Sequence, residues 1–227
     1  MSIEILAVEG VPEVTAGDDL GELLAQALGD TLRPGDVLVV TQKVVSKAEG
    51  RFAPRSEKLQ VVANESARVL RRTAGGMVIA ETRHGFVCAN AGVDESNIPG
   101  DDLVLLPIDP DASARRIRSR LQHLLAVDAA VIVSDTFGRA WRIGQTDVAI
   151  GLAGLSPFVD HIGRPDTHGR MMTATRICIA DEIAGAAELV MGKTDGICAA
   201  IVRGFPYEPA RATATEIVRP PEQDLFR

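Results

Sequence analysis

Between Val127 and Leu155 two apolar runs, Ala129 to Val133 and Val148 to Leu155, enclose a dense polar block. The first run is short and rich in β-branched residues, which suits a buried strand. It stops on Ser134-Asp135-Thr136, so a carboxylate and two hydroxyls are delivered at a strand's end. Oxygen donors of this kind are what hard cations take as ligands. Gly138 lets the backbone turn, Arg139 and Arg142 follow within a helical turn's reach, and Gln145, Thr146 and Asp147 complete the block. A structural loop between two core segments has little use for so many different functional groups. The stretch reads as a metal-and-phosphate site.

A second polar cluster follows another buried strand. Pro34-Gly35-Asp36 turns the chain into Val37 to Val40, and Lys43, Lys47 and Arg51 come next. On a short helix these three cations share a face at i, i+4 and i+8 and repel one another unless an anion lies between them. A solvated face is the competing reading. The loop Asn90 to Asn97 carries Asp94 and Asn97, suited to hold a cation and an adjacent phosphate, although such residues also favour turns for their own sake. Asp94, Asn97, Asp135 and Thr136, with Lys43, Lys47, Arg139 and Arg142, point to metal-assisted phosphate chemistry.

The rest of the chain reads as short strands and helices. Ile3 to Val8 alternates as a strand, and Asp18 or Asp19 caps a helix over Leu20 to Leu28. One amphipathic helix is predicted over Ser56 to Arg72, then a hairpin of Met77 to Glu81 with Gly85 to Ala89. Leu103 to Leu106 is a strand, and Asp111 or Ser113 caps the helix Ala112 to Leu125. Ser156 to Arg170 is a long loop or lid in which His161 and His168 read as surface residues. Met172 to Ile179 is a strand, Ile183 to Val190 a helix and Ile197 to Arg203 a last strand, before a proline-rich tail over 205–227.

Several classes are disfavoured. A net charge of -7 argues against nucleic acid as a partner. No stretch is long enough to span a bilayer, and no basic-then-apolar leader pattern is present, so a cytoplasmic location is expected. Cys88, Cys178 and Cys198 have neither zinc-site nor disulfide spacing. Gly192-Lys193-Thr194 resembles the end of a phosphate loop, yet Ala187 stands where that pattern needs glycine, and a helix rather than a strand precedes it. The loop Met191 to Gly196 nevertheless offers exposed amides to a nucleotide. Neither a dinucleotide fingerprint nor a serine-hydrolase elbow occurs.

VVTQKVVSKAEGR, NAGVDESN, SDTFGRAWRIGQTDVAIGLAGL and ADEIAGAAELVMGK together resemble the coenzyme F420:L-glutamate ligase family. The similarity runs in order from Ile3 to about Gly204, and VSDTFGRAWRIGQTD, VRGF and RPPEQDLF look closest to the mycobacterial-type members. The resemblance implies a GTP-dependent ligase that adds L-glutamate through γ-linkages to the deazaflavin F420-0 in coenzyme F420 biosynthesis. The acceptor carboxylate is phosphorylated by GTP, and the glutamate amine then displaces phosphate from the acyl phosphate. A general base is not assignable. The implied cofactors are GTP as co-substrate, Mg2+ or Mn2+, and a monovalent cation such as K+. The implied fold is α+β with largely antiparallel sheets, a single ligase domain of two interleaved subdomains in an intertwined homodimer. The chain is then either a stand-alone ligase or the ligase domain of a longer protein that continues into a flavin-binding domain.

By the same resemblance, Asp94, Asp135 and Thr136 match metal-contacting positions, and Lys47 and Asn97 match nucleotide-contacting ones. Val11-Pro12-Glu13-Val14 and Met191, Gly192, Lys193, Thr194, Asp195, Gly196 and Ile197 look like the remaining nucleotide-binding segments. Two departures stand out. Gln42 replaces a small hydroxyl residue, and its amide could still hydrogen-bond a nucleotide. Lys193 stands where archaeal members carry a metal-binding glutamate, so either another carboxylate substitutes or the second ion is held mainly by phosphates. A related carboxylate–amine ligase with another acceptor, and a non-catalytic GTP-binding module, are the rival readings.

Overall fold

The structure is a computed structural model that describes residues 2–96, 98 and 100–224. In chain order the elements are β1 (Glu4–Ala7), α1 (Leu20–Leu28), β2 (Val37–Thr41), α2 (Gln42–Ala48), β3 (Phe52–Pro54), α3 (Lys58–Glu65), β4 (Ser66–Arg72), β5 (Val78–Thr82) and β6 (Val87–Ala89). They continue as β7 (Asp102–Val104), α4 (Pro110–Leu125), β8 (Ala130–Arg139), β9 (Arg142–Ala153), β10 (Phe158–Asp160), β11 (Arg176–Cys178), α5 (Ile179–Met191) and β12 (Ala199–Arg203).

The main sheet has the order β1-β12-β2-β8-β9. Among the described residues only the β2–β8 pair is parallel, so the sheets are mostly antiparallel, in line with the α+β expectation. Val37, Leu38, Val39 and Val40 are all at most 1% exposed, which requires cover on both faces of β2. Helix α4 packs on β8 and β9, and α5 on β9, β12 and β1. Close approach is bought with glycine: a Cβ on Gly151 of β9 would lie 2.4 Å from the Pro110 carbonyl oxygen at the start of α4. A smaller core of Val61, Val62, Val78, Ala80, Val93 and Leu103 lies under α3, β5 and β7.

Besides β10 (Phe158–Asp160) within the expected loop and α5 starting at Ile179 rather than Ile183, three expectations need correction. The helix expected over Ser56 to Arg72 ends at Glu65, where Ser66 turns extended (φ -87, ψ 124) and its hydroxyl bonds to the Val62 carbonyl. Ser66–Arg72 then pairs with β5, a tertiary contact that helical spacing could not anticipate. The organising strand does not stop at Ser134 but runs to Arg139, because β9 pairs with it through the polar block, Thr136 opposite Asp147 and Gly138 opposite Gln145. Arg139 and Arg142 therefore face each other across a hairpin rather than along a helix. Finally, α4 is capped by Asp109, which accepts from the Ala112 N–H at 2.8 Å, while Asp111 accepts instead from Leu152 and Ala214. The cap of α1 is Asp19, as its position suggests.

Candidate active site

A cavity of about 570 Å³ opens where five parts of the chain meet: Glu13, the start of α2, the loop after β6, the polar half of the β8–β9 hairpin, and the end of α5 with the loop beyond it. The local backbone is bent to build it. Asn90 and Ala91 both adopt positive φ (51° and 54°), a strain of roughly 1–3 kcal/mol each that is typical of functional sites. Gly92 follows at φ 74°, and a Cβ there would sit 2.6 Å from Leu106. Asp94 is then clamped by two backbone bonds to Val104, both 2.9 Å. On the other wall a register shift between Val133 and Ser134 falls where apolar side chains give way to polar ones, and such bulges re-aim side chains beside active sites.

Lys43 Nζ donates to Asp94 Oδ2 at 2.6 Å and to Ser96, and Lys47 Nζ donates to Glu13 Oε1 at 2.5 Å. Arg51 lies beyond the end of α2 and pairs with Glu65 at 3.1 Å. The three cations thus have separate carboxylate partners instead of facing one anion, and only Lys43 and Lys47 line the cavity. Burial pushes the Asp94 carboxyl up, but the Lys43 ammonium and the Ser96 N–H more than offset this and hold it below the ordinary range. Asp135 goes the other way. Burial, with Asp147 and Asp94 nearby, pushes it up to about 7 despite the Thr136 N–H and Lys43. Burial is the larger cause, and a cation beside Asp135 would offset the part that the neighbouring carboxylates add.

Asp147 is 2% exposed and accepts from Ser134 Oγ at 2.8 Å and Thr136 Oγ1 at 2.5 Å. Lys193 Nζ donates to Thr136 Oγ1, with Glu188 Oε1 at 3.0 Å and Asp147 Oδ1 at 3.7 Å. Cys88 and Cys198 also reach the cavity, but burial pushes their thiols up to about 12 and about 11, so thiolate chemistry is disfavoured.

Of the residues singled out from the sequence, Glu13, Lys43, Lys47, Asp94, Asp135, Thr136, Met191, Gly192, Lys193, Thr194, Gly196 and Ile197 share this cavity. Val11 and Val14 pack with the core, and Pro12 and Asp195 do not line the space. Gln42 is 1% exposed and accepts from Ser46 Oγ, so its side chain serves the interior. Arg139 and Arg142 are exposed toward the hairpin tip, away from the cavity lining. Asn97 lies outside the described residues. Sequence reasoning misses Ser96 and Glu188, and it places Asp147 in the polar block without giving it a role. Glu188 sits one helical turn before Gly192, and Asp147 is a lone acid opening an apolar run; both are signals that a sequence carries on its face.

Among the described residues no three His, Cys, Asp or Glu side chains are grouped to hold a metal ion. Asp94, Asp135 and Thr136 do offer two carboxylates and a hydroxyl. Mg2+ is commonly held by one or two carboxylates together with substrate phosphates, so this donor set fits such an ion arriving with a nucleotide. Among the described residues no helix is long and apolar enough to cross a membrane.

Carboxylates, ammonium groups and a glycine-bearing loop surround one open cavity. The chain belongs to the F420-0:gamma-glutamyl ligase family, whose model matches residues 10–57 and 52–204. It is 42% identical to the coenzyme F420:L-glutamate ligase of Methanothermobacter thermautotrophicus, over the whole of both chains. It is 41% identical to the protein of that name from Methanopyrus kandleri, over 98% of each chain. The Archaeoglobus fulgidus protein of that name is 39% identical, with 100% of this chain and 97% of that one covered. Kinship of this extent makes the chain a ligase of coenzyme F420 biosynthesis.

Proposed function

We propose that the protein is a GTP-dependent ligase that adds L-glutamate through γ-linkages to F420-0. The observation that supports it most directly is the meeting of Asp94, Asp135, Lys43 and Lys47 around one cavity in a chain so similar to named F420:L-glutamate ligases. In the first step an oxygen of the acceptor carboxylate attacks the γ-phosphorus of GTP. The bond to the β-phosphate oxygen breaks and GDP leaves. The glutamate amine then attacks the acyl carbon, the carbon–oxygen bond to phosphate breaks, and the amine gives up a proton.

Lys47 and Lys43 serve as ammonium donors to the triphosphate, exchanging Glu13 and Asp94 for phosphate oxygens. The amides of the loop from Gly192 to Ile197 add donors that carry no sequence-specific side chain. Asp94, Asp135 and Thr136 would hold Mg2+ or Mn2+, which would supply positive charge to the transferred phosphoryl group. With phosphate oxygens on Lys43 in place of Asp94, the Asp94 carboxylate would be available beside Asp135 as a cation ligand. The proposed enzyme is a homodimer.

The test is an assay of purified protein with GTP, Mn2+, L-glutamate and F420-0, read by mass spectrometry. A product heavier by one or more glutamyl units, with GDP formed in step, is the expected result. GDP without that product would shift the reading to a ligase with another acceptor; tight GTP binding with no turnover would favour a regulatory module. Lys47→Ala is expected to weaken GTP binding tenfold to a hundredfold, the loss of a charged hydrogen bond worth about 1.5–3 kcal/mol. Calorimetric affinity equal to that of the unchanged protein would remove Lys47 from the nucleotide site.

A further inference from the structure

Lys193 is held in an unusual place for a loop lysine. Three oxygens from three different elements converge on its Nζ: Thr136 Oγ1 from β8, Asp147 Oδ1 from β9 and Glu188 Oε1 from α5. Two carboxylates and a hydroxyl are the donor chemistry of a hard divalent cation. At this point the chain supplies the cation itself. The backbone helps: Gly192 at φ 57° ends α5 and turns residue 193 back over the last turn, where Glu188 lies and where the helix end favours positive charge. The side chain keeps more than half its surface exposed, so the ammonium faces the cavity rather than the core.

Phosphoryl-transfer sites often use two metal ions, the second of which stabilises charge on the side opposite the first. We propose that Lys193 is a tethered counter-ion that takes the position of a second divalent cation, so that the nucleotide-loaded protein holds one Mg2+ or Mn2+ per chain, on the Asp94–Asp135 side. The inference rests on the ligase reading. It resolves the departure at residue 193 without a substitute carboxylate: the oxygens are in place, and a single positive charge on a flexible stem satisfies them. A lysine also withdraws more easily than a bound ion when the nucleotide leaves, since its motion is a change of rotamer.

The experiment counts Mn2+ bound per chain, by elemental analysis after gel filtration with a non-hydrolysable GTP analogue, in the unchanged protein and in Lys193→Glu and Lys193→Gln. The expected counts are one for the unchanged protein and two for Lys193→Glu, which adds a carboxylate beside Asp147 and Glu188. For Lys193→Gln the count should rise from one toward two as Mn2+ is raised, because the oxygens lose their cation. Thermal melts of both variants report whether they remain folded. Two ions in the unchanged protein, or one in both folded variants, would overturn the inference and leave the ligase reading standing. Failure of the unchanged protein to bind the analogue at all would sink the ligase reading and this inference together.

Discussion

Asp135→Asn is expected to lose at least ~100-fold in Mn2+-dependent turnover while gaining stability without metal. The activity loss follows from removing a ligand charge at nearly constant volume; even outer groups that orient metal ligands cost 10- to 100-fold. The stability gain follows from the proton balance. In the folded protein Asp135 titrates at about 7, well above the ~3.9 of an unfolded carboxylate. The folded state therefore holds this proton over the range between those values, and stability falls as pH rises through it, with the full cost present above pH 7. Asparagine carries no such cost. Melting temperatures without metal should match at pH 4 and favour the variant at pH 8. A variant that melts lower at pH 8 would overturn the raised titration of Asp135, and near-normal turnover would take Asp135 out of the metal site.

Asp36→Ala is expected to cost ~3–5 kcal/mol in urea unfolding, far more than the loss of any exposed ion pair. Asp36 is 2% exposed and takes both Arg203 Nε (2.9 Å) and Nη2 (2.7 Å), along with the Arg33 N–H at 2.8 Å. The pair joins the start of β2 to the end of β12. Removing the acid leaves a partly buried guanidinium without its charge partner, the circumstance in which breaking an ion pair is expensive. Exposed pairs such as Arg120 with Glu22 should by contrast be worth at most ~1 kcal/mol. If Arg203→Met restored none of the stability in the Asp36→Ala background, the loss would have to come from elsewhere than the stranded charge.

Much of this architecture is legible in the sequence because it rests on local signals. Helix Leu20–Leu28, strand Val37–Val40 and the hairpin before Ala89 carry their own caps, periodicity and turns. What escapes is what only pairing decides. Ser66 to Arg72 is extended because β5 lies beside it, and residues 134–139 are strand because β9 matches them pair by pair. The candidate site divides in the same way. Lys43, Lys47, Asp94, Asp135 and Thr136 stand out as chemistry in the wrong places for loops, and they do meet. Their relation does not stand out: Lys43 and Asp94 are 51 residues apart, and Lys43, Lys47 and Arg51 read by spacing alone as mutual repulsion although each has its own carboxylate. Gln42 shows the converse limit, since a polar residue at the right position in a motif can still turn inward and bond to its own helix.

Among the described residues the first strand of the sheet pairs only with the last: β1 lies at the edge beside β12, nearly two hundred residues away. On the ribosome, then, Glu4–Ala7 has no partner until Ala199–Arg203 has emerged, and β2 waits with it on that side. The cavity waits as well, because Met191 to Cys198 form one of its walls. A ligand of that cavity can thus stabilise only a chain that has paired β1 with β12, and a nascent fragment lacking β12 would carry an open sheet edge. For this protein, capturing its substrate and finishing its fold are nearly the same event.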